Sequence, residues 1–274
     1  MNIYGTIGYT ILKNPNTKQK IIIFADMHDT LAKCKNNISI ANWIKTKFKN
    51  SYILLEEVPR KNIDLGDLWL SEHTQQLKNL FLNNYDKVIG VDIRLSLIPY
   101  SWEIIANEKQ LDNFVLNNYI KEINNFFCFN QSQMKQDWKH YNHKNITNTL
   151  LGKHFVKIKE LYYNYLITYK EYLQKDIIQI YKENKEILQK TNDILNDIME
   201  WTICALIYNN QHKPIVLHAG LFHTEKVIDW LINNYNYKII KKQGINRIID
   251  TPTLTTEIDG CVSLSNEDNI YFEQ

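Results

Sequence analysis

The sequence predicts an α/β fold: a largely parallel central sheet with flanking helices and a long helical insertion. Three observations predict it. Short apolar runs alternate with helix-length amphipathic stretches through the first hundred residues, the β-α-β-α-β rhythm of a layered parallel sheet. Lys20–Phe24 is apolar on successive residues after its first, as a strand covered on both faces must be. From Trp102 to Tyr208 the alternation gives way to a polar-rich helical pattern, and strand character returns at Ile215–Leu217.

Taken in order, Ile3–Leu12 and Lys20–Phe24 flank the turn-rich Asn14-Pro-Asn-Thr-Lys18 and read as a β-hairpin. Thr30–Lys49 reads as a helix, with Leu31, Ile38, Ile40, Ala41, Ile44 and Phe48 as its apolar positions. Ser51–Leu55 is a second buried strand ending in Glu56-Glu57. After a loop through Pro59 and Gly66, Leu68–Asn83 is expected to be helical. Lys87–Val91 is a third strand, ending in Asp92-Ile-Arg94. Phe155–Tyr181 and Ile187–Tyr208 carry apolar residues at three- and four-residue spacing and read as two long amphipathic helices. Glu225–Asn234 is a helix and Tyr237–Lys241 a strand, while Cys261–Leu264 and Ile270–Phe272 read as edge strands in a polar tail. The expected organisation is an N-terminal half of the core (1–101), a helical insertion (102–210) and a C-terminal part of the core (211–274).

At 274 residues, 44% hydrophobic and 23% charged, the composition is that of a soluble globular protein. A net charge of +2 points to no polyanionic partner. The basic runs Lys45–Lys49 and Lys238–Lys242 read as solvated faces, so nucleic-acid binding is not expected. No run of 18 apolar residues marks a membrane span, and the N-terminus lacks the pattern of a signal peptide. A cytoplasmic location is therefore expected, with the four scattered cysteines, Cys34, Cys128, Cys204 and Cys261, as reduced thiols. The excess of Asn, Lys, Ile and Tyr points to an AT-rich genome, as in some viruses and parasites. The oligomeric state is open.

Ligands of a parallel α/β sheet gather at the carboxyl ends of its strands. Four expected strand ends carry polar residues: Asp26, His28 and Asp29; Glu56 and Glu57; Asp92 and Arg94; His218 and His223. The segment Pro214-Ile-Val-Leu-His-Ala-Gly-Leu-Phe-His223 reads as a buried strand running into a Gly-x-x-His turn before a helix. Lys20-Ile-Ile-Ile-Phe-Ala-Asp-Met-His28 repeats the arrangement. A histidine titrating near neutrality suits proton abstraction from water or metal ligation. A neighbouring carboxylate can fix its tautomer, and Arg94 can stabilise an oxyanion. Each residue also has a plainer reading: His28 as a loop or capping histidine, His218 as a core histidine, Asp92 and Arg94 as a pair of their own. Glu56 and Glu57 point to opposite faces if extended, so one of them is expected to face the site. Asp26-x-His28 and Gly66-Asp67 also resemble the opening motifs of calcineurin-like metallophosphatases, but their Gly-Asn-His-Asp/Glu element is absent. There is no Gly-rich phosphate loop, no Gly-x-Ser-x-Gly elbow and no His-Glu-x-x-His.

The layout resembles the superfamily that joins erythromycin esterases, ChaN-like haem-binding proteins and the TraB/Tiki group. Ala25-Asp-Met-His28 is similar to its first motif, with Ala for Gly and Asp for Glu, and Ile53-Leu-Leu-Glu-Glu-Val-Pro59 to its strand followed by Glu. Val88-Ile-Gly-Val-Asp-Ile-Arg94 resembles the next strand, and Gly220-Leu-Phe-His223 its second Gly-x-x-His. The resemblance implies a hydrolase of small-molecule esters or of peptides, with His28 or His223 activating water. Glu56 or Glu57 would orient that histidine or bind metal, and Arg94 (or Arg60) would serve the oxyanion. The esterase branch works without metal. The Tiki branch implies a divalent ion, Mn, Co or Zn, for which His28, His223, Glu56 and Asp26 are the candidate ligands. The ChaN branch implies instead a non-catalytic carrier of haem or another small ligand. In that case Tyr162, Tyr163, Tyr165, Tyr169 and Tyr172 would line an aromatic pocket, a spacing equally expected of ordinary helix packing.

Overall fold

The computed structural model describes residues 2–28, 31–32, 34–35, 37–47, 50–59, 71–84, 87–107, 114–128, 150–252 and 258–265. The first stretch of chain forms β1 (Asn2–Tyr4), β2 (Gly8–Lys13), β3 (Lys20–Asp26), β4 (Asn37–Ser39), α1 (Ile40–Lys47), β5 (Tyr52–Leu55), α2 (Glu72–Asn83) and β6 (Val88–Gly90). Helices follow: α3 (Arg94–Leu97), α4 (Trp102–Asn107), α5 (Leu116–Tyr119), α6 (Lys121–Cys128), α7 (Leu150–Thr168), α8 (Ile177–Glu183) and α9 (Lys185–Asn209). The chain then returns to β7 (Ile215–Gly220), α10 (Leu221–Tyr235), β8 (Lys238–Gly244) and β9 (Cys261–Ser263). It divides into two compact units, Met1–Val91 with Leu206–Gln274, and Asp92–Ala205.

The first unit contains a six-stranded sheet in the order β6-β5-β7-β3-β2-β8. β6, β5, β7 and β3 run parallel; at one edge β2 is antiparallel to β3, and β8 is antiparallel to β2. β3 has Ile21 to Ala25 all at 2% exposure or less, so both of its faces are covered and no polar alternation is called for. Alternate residues of the strands, Phe24 of β3, Val216 of β7 and Ile53 and Leu55 of β5, share one core with Trp43 and Ile44 of α1 and Leu77, Leu80 and Phe81 of α2. Phe24 meets Trp43 edge to face at 5.2 Å. α10 packs on β3 and β7. It stops at Asn236, which takes a left-handed conformation (φ 58°) and donates its N–H back to the Leu231 carbonyl.

The expected hairpin is present as β2 and β3, and Asn14 Oδ1 accepts the N–H groups of Asn16 and Thr17 to shape its turn. Ile3–Leu12, however, is not one strand. The chain bends at Gly5 (φ 98°), and β1 joins a separate sheet in the order β4-β1-β9. The expected helix Thr30–Lys49 shrinks to α1, because Asn37–Ser39 pairs with β1 instead and sheet pairing overrides helical periodicity there. Phe155–Tyr181 is likewise broken, into α7, a 3₁₀ turn at Lys170–Tyr172, and α8. Asp176 caps α8 by accepting from the N–H groups of Ile178 and Gln179, which starts a new helix where periodicity alone reads through. α9 spans the expected Ile187–Tyr208. Residues 68–70 of the expected second helix and the expected strand Ile270–Phe272 lie outside the described residues.

The helical unit is built on aromatic packing. Trp201 donates its Nε1–H to the Leu151 carbonyl at 2.9 Å, and Phe155 packs on it at 5.0 Å between ring centroids. Tyr162 is fully buried, stacks on Phe127 at 5.1 Å and bonds through its hydroxyl to Asn124. Tyr165 accepts from the Thr191 hydroxyl. These two tyrosines are core residues, whereas Tyr163 is exposed. Among the described residues, no helix is long and apolar enough to cross a membrane.

One expectation about the cysteines fails. Cys34 and Cys261 form a disulfide with their Cα atoms 6.0 Å apart, while exposed Cys128 and buried Cys204 remain free. A separation of 227 residues carries no spacing signal, and the pair is created only when β9 docks on β1. The bond ties Cys34, six residues after His28, to the first residue of β9. Cross-linking of this kind typically contributes about 2–4 kcal/mol. Reduction, or the Cys34→Ser/Cys261→Ser variant, is therefore expected to lower the urea midpoint of the first unit. Alkylation of the unfolded, unreduced chain should label Cys128 and Cys204 but neither bridge residue.

Candidate functional site

Parallel pairing brings three strand ends level. Asp26, the last residue of β3, lies opposite Gly220, the last of β7, and Leu55, the last of β5, lies opposite His218. Two residues beyond β3 comes His28, one beyond β5 comes Glu56, and His223 occupies the first turn of α10. The helix starts at Leu221, one residue after the strand, so the Gly-x-x-His turn is the strand–helix junction itself.

Glu56 is the centre of the arrangement. Its backbone N–H donates to the His218 carbonyl at 3.0 Å, extending the β5–β7 ladder by one bond. Its carboxylate Oε2 accepts the Gly220 N–H at 2.6 Å and lies 3.5 Å from His28 Nε2, and Oε1 lies 3.6 Å from His223 Nε2. One carboxylate thus stands between two imidazoles. The side chains are 6% (Glu56), 7% (His223) and 15% (His28) exposed, so the carboxylate faces both rings with little screening by water. Gly220 permits this approach, since a Cβ there would stand 3.3 Å from Glu56 Oε2 and 3.9 Å from His28 Nε2.

Behind this pair lies a buried polar layer. Asp26, 1% exposed, accepts from His73 Nε2 at 2.9 and 3.1 Å, and its Oδ2 stands 3.7 Å from His28 Nε2. His73 was not singled out by the sequence reading, although a signal existed. On α2 it falls four residues before Leu77 on the buried stripe continued by Leu80 and Phe81, and a histidine on such a stripe calls for a polar partner. Its Nδ1 is buried without a hydrogen-bond partner among the described residues. Gly5 makes room for it: a Cβ at that left-handed position would come within 2.7 Å of His73 Cβ. His218, on the same face of β7 as Val216, has its Nε2 3.1 Å from the Gly5 carbonyl, the geometry of an Nε2–H donating to that oxygen. Burial pushes its pKa down. Asp26 and the Gly5 carbonyl oppose that shift, and His73 and His28 add to it.

A cavity of about 20 Å³ is lined by Asp26, His28, Glu56, Glu57 and His218 together with Leu55, Thr74 and Leu77. That is room for roughly one water molecule. Glu57 therefore borders the cavity, while Glu56 makes the contacts with both histidines. Arg94 belongs to the second unit, where its Nε and Nη2 donate to the two Asp92 oxygens at 2.7 and 2.9 Å and its Nη1 to Asn196 at 3.0 Å. The pairing weighed as its plainer reading is thus present. Asp29 and Arg60 lie outside the described residues. Among the described residues, no group of three or more His, Cys, Asp or Glu side chains is placed to hold a metal ion, although Asp26, His28, Glu56 and His223 lie close to one another. Oε2 of Glu56 and the Asp26 carboxylate are already held by Gly220 and His73.

The lowered pKa of His218 has a thermodynamic consequence. The unfolded chain takes up this proton near the ordinary value of 6.5, whereas the folded chain resists it. The stability contributed by neutral His218 is therefore complete above about pH 6.5 and lost as the pH falls towards the folded-state value. Urea unfolding from pH 8 down to pH 5 is expected to show a smaller loss of stability in His218→Gln, which keeps a donor for Gly5, than in the wild type.

No family model, no curated protein and no solved structure matches the chain.

Proposed function

We propose that the chain is a hydrolase of ester or peptide bonds, as its resemblance to the erythromycin esterase and TraB/Tiki group implies, with water activated at His28. One observation carries the reading: a single desolvated carboxylate, Glu56, stands between two imidazoles beside a cavity large enough for one water. A hydrolase needs a proton acceptor for water and a proton donor for the leaving group. His28, facing both Asp26 and Glu56, takes the first role. The two carboxylates stabilise the imidazolium formed when its Nε2 accepts the proton of water. His223, paired with the other oxygen of Glu56, supplies the proton that the leaving group requires. Asp26 is held in turn by His73, so the orientation of His28 is backed by a second buried pair. No step is routed through a metal ion.

The test is a panel of p-nitrophenyl esters and fluorogenic peptides assayed with purified protein. His28→Ala, His223→Ala and Glu56→Gln are each expected to lose about 10²–10⁴-fold in turnover with circular dichroism unchanged. Wild-type rates in both histidine variants would sink the proposal. Turnover should also survive exhaustive chelation. Its loss on chelation, with recovery on adding Mn²⁺, Co²⁺ or Zn²⁺, would replace this mechanism with a metal-dependent one.

A further inference from the structure

A larger cleft, of about 500 Å³, opens at the other end of the same strands. It is lined where β5 begins (Ser51, Tyr52, Ile53), where β6 begins (Lys87, Val88) and by Lys213, two residues before β7, and it is completed by residues of α1 and α2. Because these strands are parallel, their amino ends gather here as their carboxyl ends gather around Glu56. The four-residue β5 sets the two places about 13 Å apart along the strand.

The lining is sorted by chemistry. Ile44, Ile53, Leu80 and Val88 are buried and form an apolar floor. Lys45, Lys87 and Lys213 stand exposed around it, and no carboxylate is among the described lining residues. Lys213 lies 4.8 Å over the Tyr52 ring, which holds its ammonium at the rim, while neither Lys45 nor Lys87 pairs with a described acidic residue. The Ser51 hydroxyl is buried and meets no hydrogen-bond partner among the described residues. Lysines that merely solvate a surface need neither a concave apolar floor nor a partnerless buried hydroxyl beside it. Three like charges around one cleft repel one another, and an anion relieves that repulsion.

We propose that this cleft binds a small phosphate monoester, with its apolar body on the Ile44, Ile53, Leu80 and Val88 floor and its dianionic phosphate among Lys45, Lys87 and Lys213. The volume is that of a small-molecule pocket, and a floor of apolar side chains with few polar anchors is the usual composition of one. Ser51 supplies a neutral hydrogen bond where the body joins the head group. The site lies apart from Glu56, with which it has β5 and α2 in common and no lining residue.

Phenyl phosphate and n-hexyl phosphate are the probes, separating an aromatic from an aliphatic body, with inorganic phosphate and phenol as the half-ligands. Binding is followed by methyl-labelled NMR on the full chain. At least one monoester is expected to shift the Ile53, Leu80 and Val88 methyls and to bind about 10-fold or more tighter than either half-ligand. The Lys45→Gln/Lys87→Gln/Lys213→Gln variant should weaken it by about 10-fold or more, and raised salt should do so progressively. Absence of shifts at those methyls for both monoesters would overturn the proposal. So would equal affinity in the triple variant, or half-ligands that bind as tightly as the esters.

Discussion

β7 pairs in parallel with β3 on one side and with β5 on the other, and that double register is the constraint from which the candidate site follows. It sets Asp26 against Gly220 and Leu55 against His218, so that the three strands end within two residues of one another along β7. The pleat then decides which side chains face α2. Asp26 shares its face with Phe24, and His218 with Val216, on the side where His73 waits. A slip of one residue in either pairing would turn these groups to the opposite face and strand them in apolar packing.

A polar cluster this deep is expensive, since each desolvated carboxylate must recover its lost hydration from specific partners. Asp26 does so through both of its oxygens on His73, and Glu56 through the Gly220 N–H and two flanking imidazoles. The recovery is incomplete at His73, whose Nδ1 finds nothing among the described residues. An orphaned buried nitrogen costs about 1–3 kcal/mol, which a scaffold without need of the group would shed. The surrounding sheet supplies that margin: Ile21, Ile22, Ile23 and Phe24 alone are four buried side chains at about 1.5–3 kcal/mol each.

Much of this was readable in the residues themselves. The apolar run Ile21–Ala25 reads as a covered strand, and the polar residues following such runs mark the carboxyl ends, so Asp26, His28, Glu56 or Glu57, and His223 could be named without a structure. What escaped depends on partners distant in sequence. His73 acquires meaning only when α2 crosses the end of β3. Asn37–Ser39 reads as helix until β1 lies beside it, and Cys34 and Cys261 are two unrelated thiols until β9 closes the small sheet. Which glutamate serves the histidines turned on a detail no pattern encodes, namely that the ladder continues one bond past Leu55 and fixes Glu56 by its own backbone. Lys45 is exposed, as a solvated basic run predicts, and it also borders a cleft that no sequence pattern announces.

The small sheet has a consequence for how the molecule is made. β1 is made long before its neighbour β9, and the bridge beside them joins positions 227 residues apart. At 5–20 residues per second, roughly 10–45 s pass between synthesis of the two halves of that bridge. Through that interval β1 has one edge unpaired and the segment leading from His28 has no anchor, while the aromatic core of the helical unit, wholly contained within residues 92–205, can already form. The small sheet is thus completed well after the six-stranded sheet's strands have been made, and until then the chain offers an open strand edge on which a chaperone, or another nascent copy, can act.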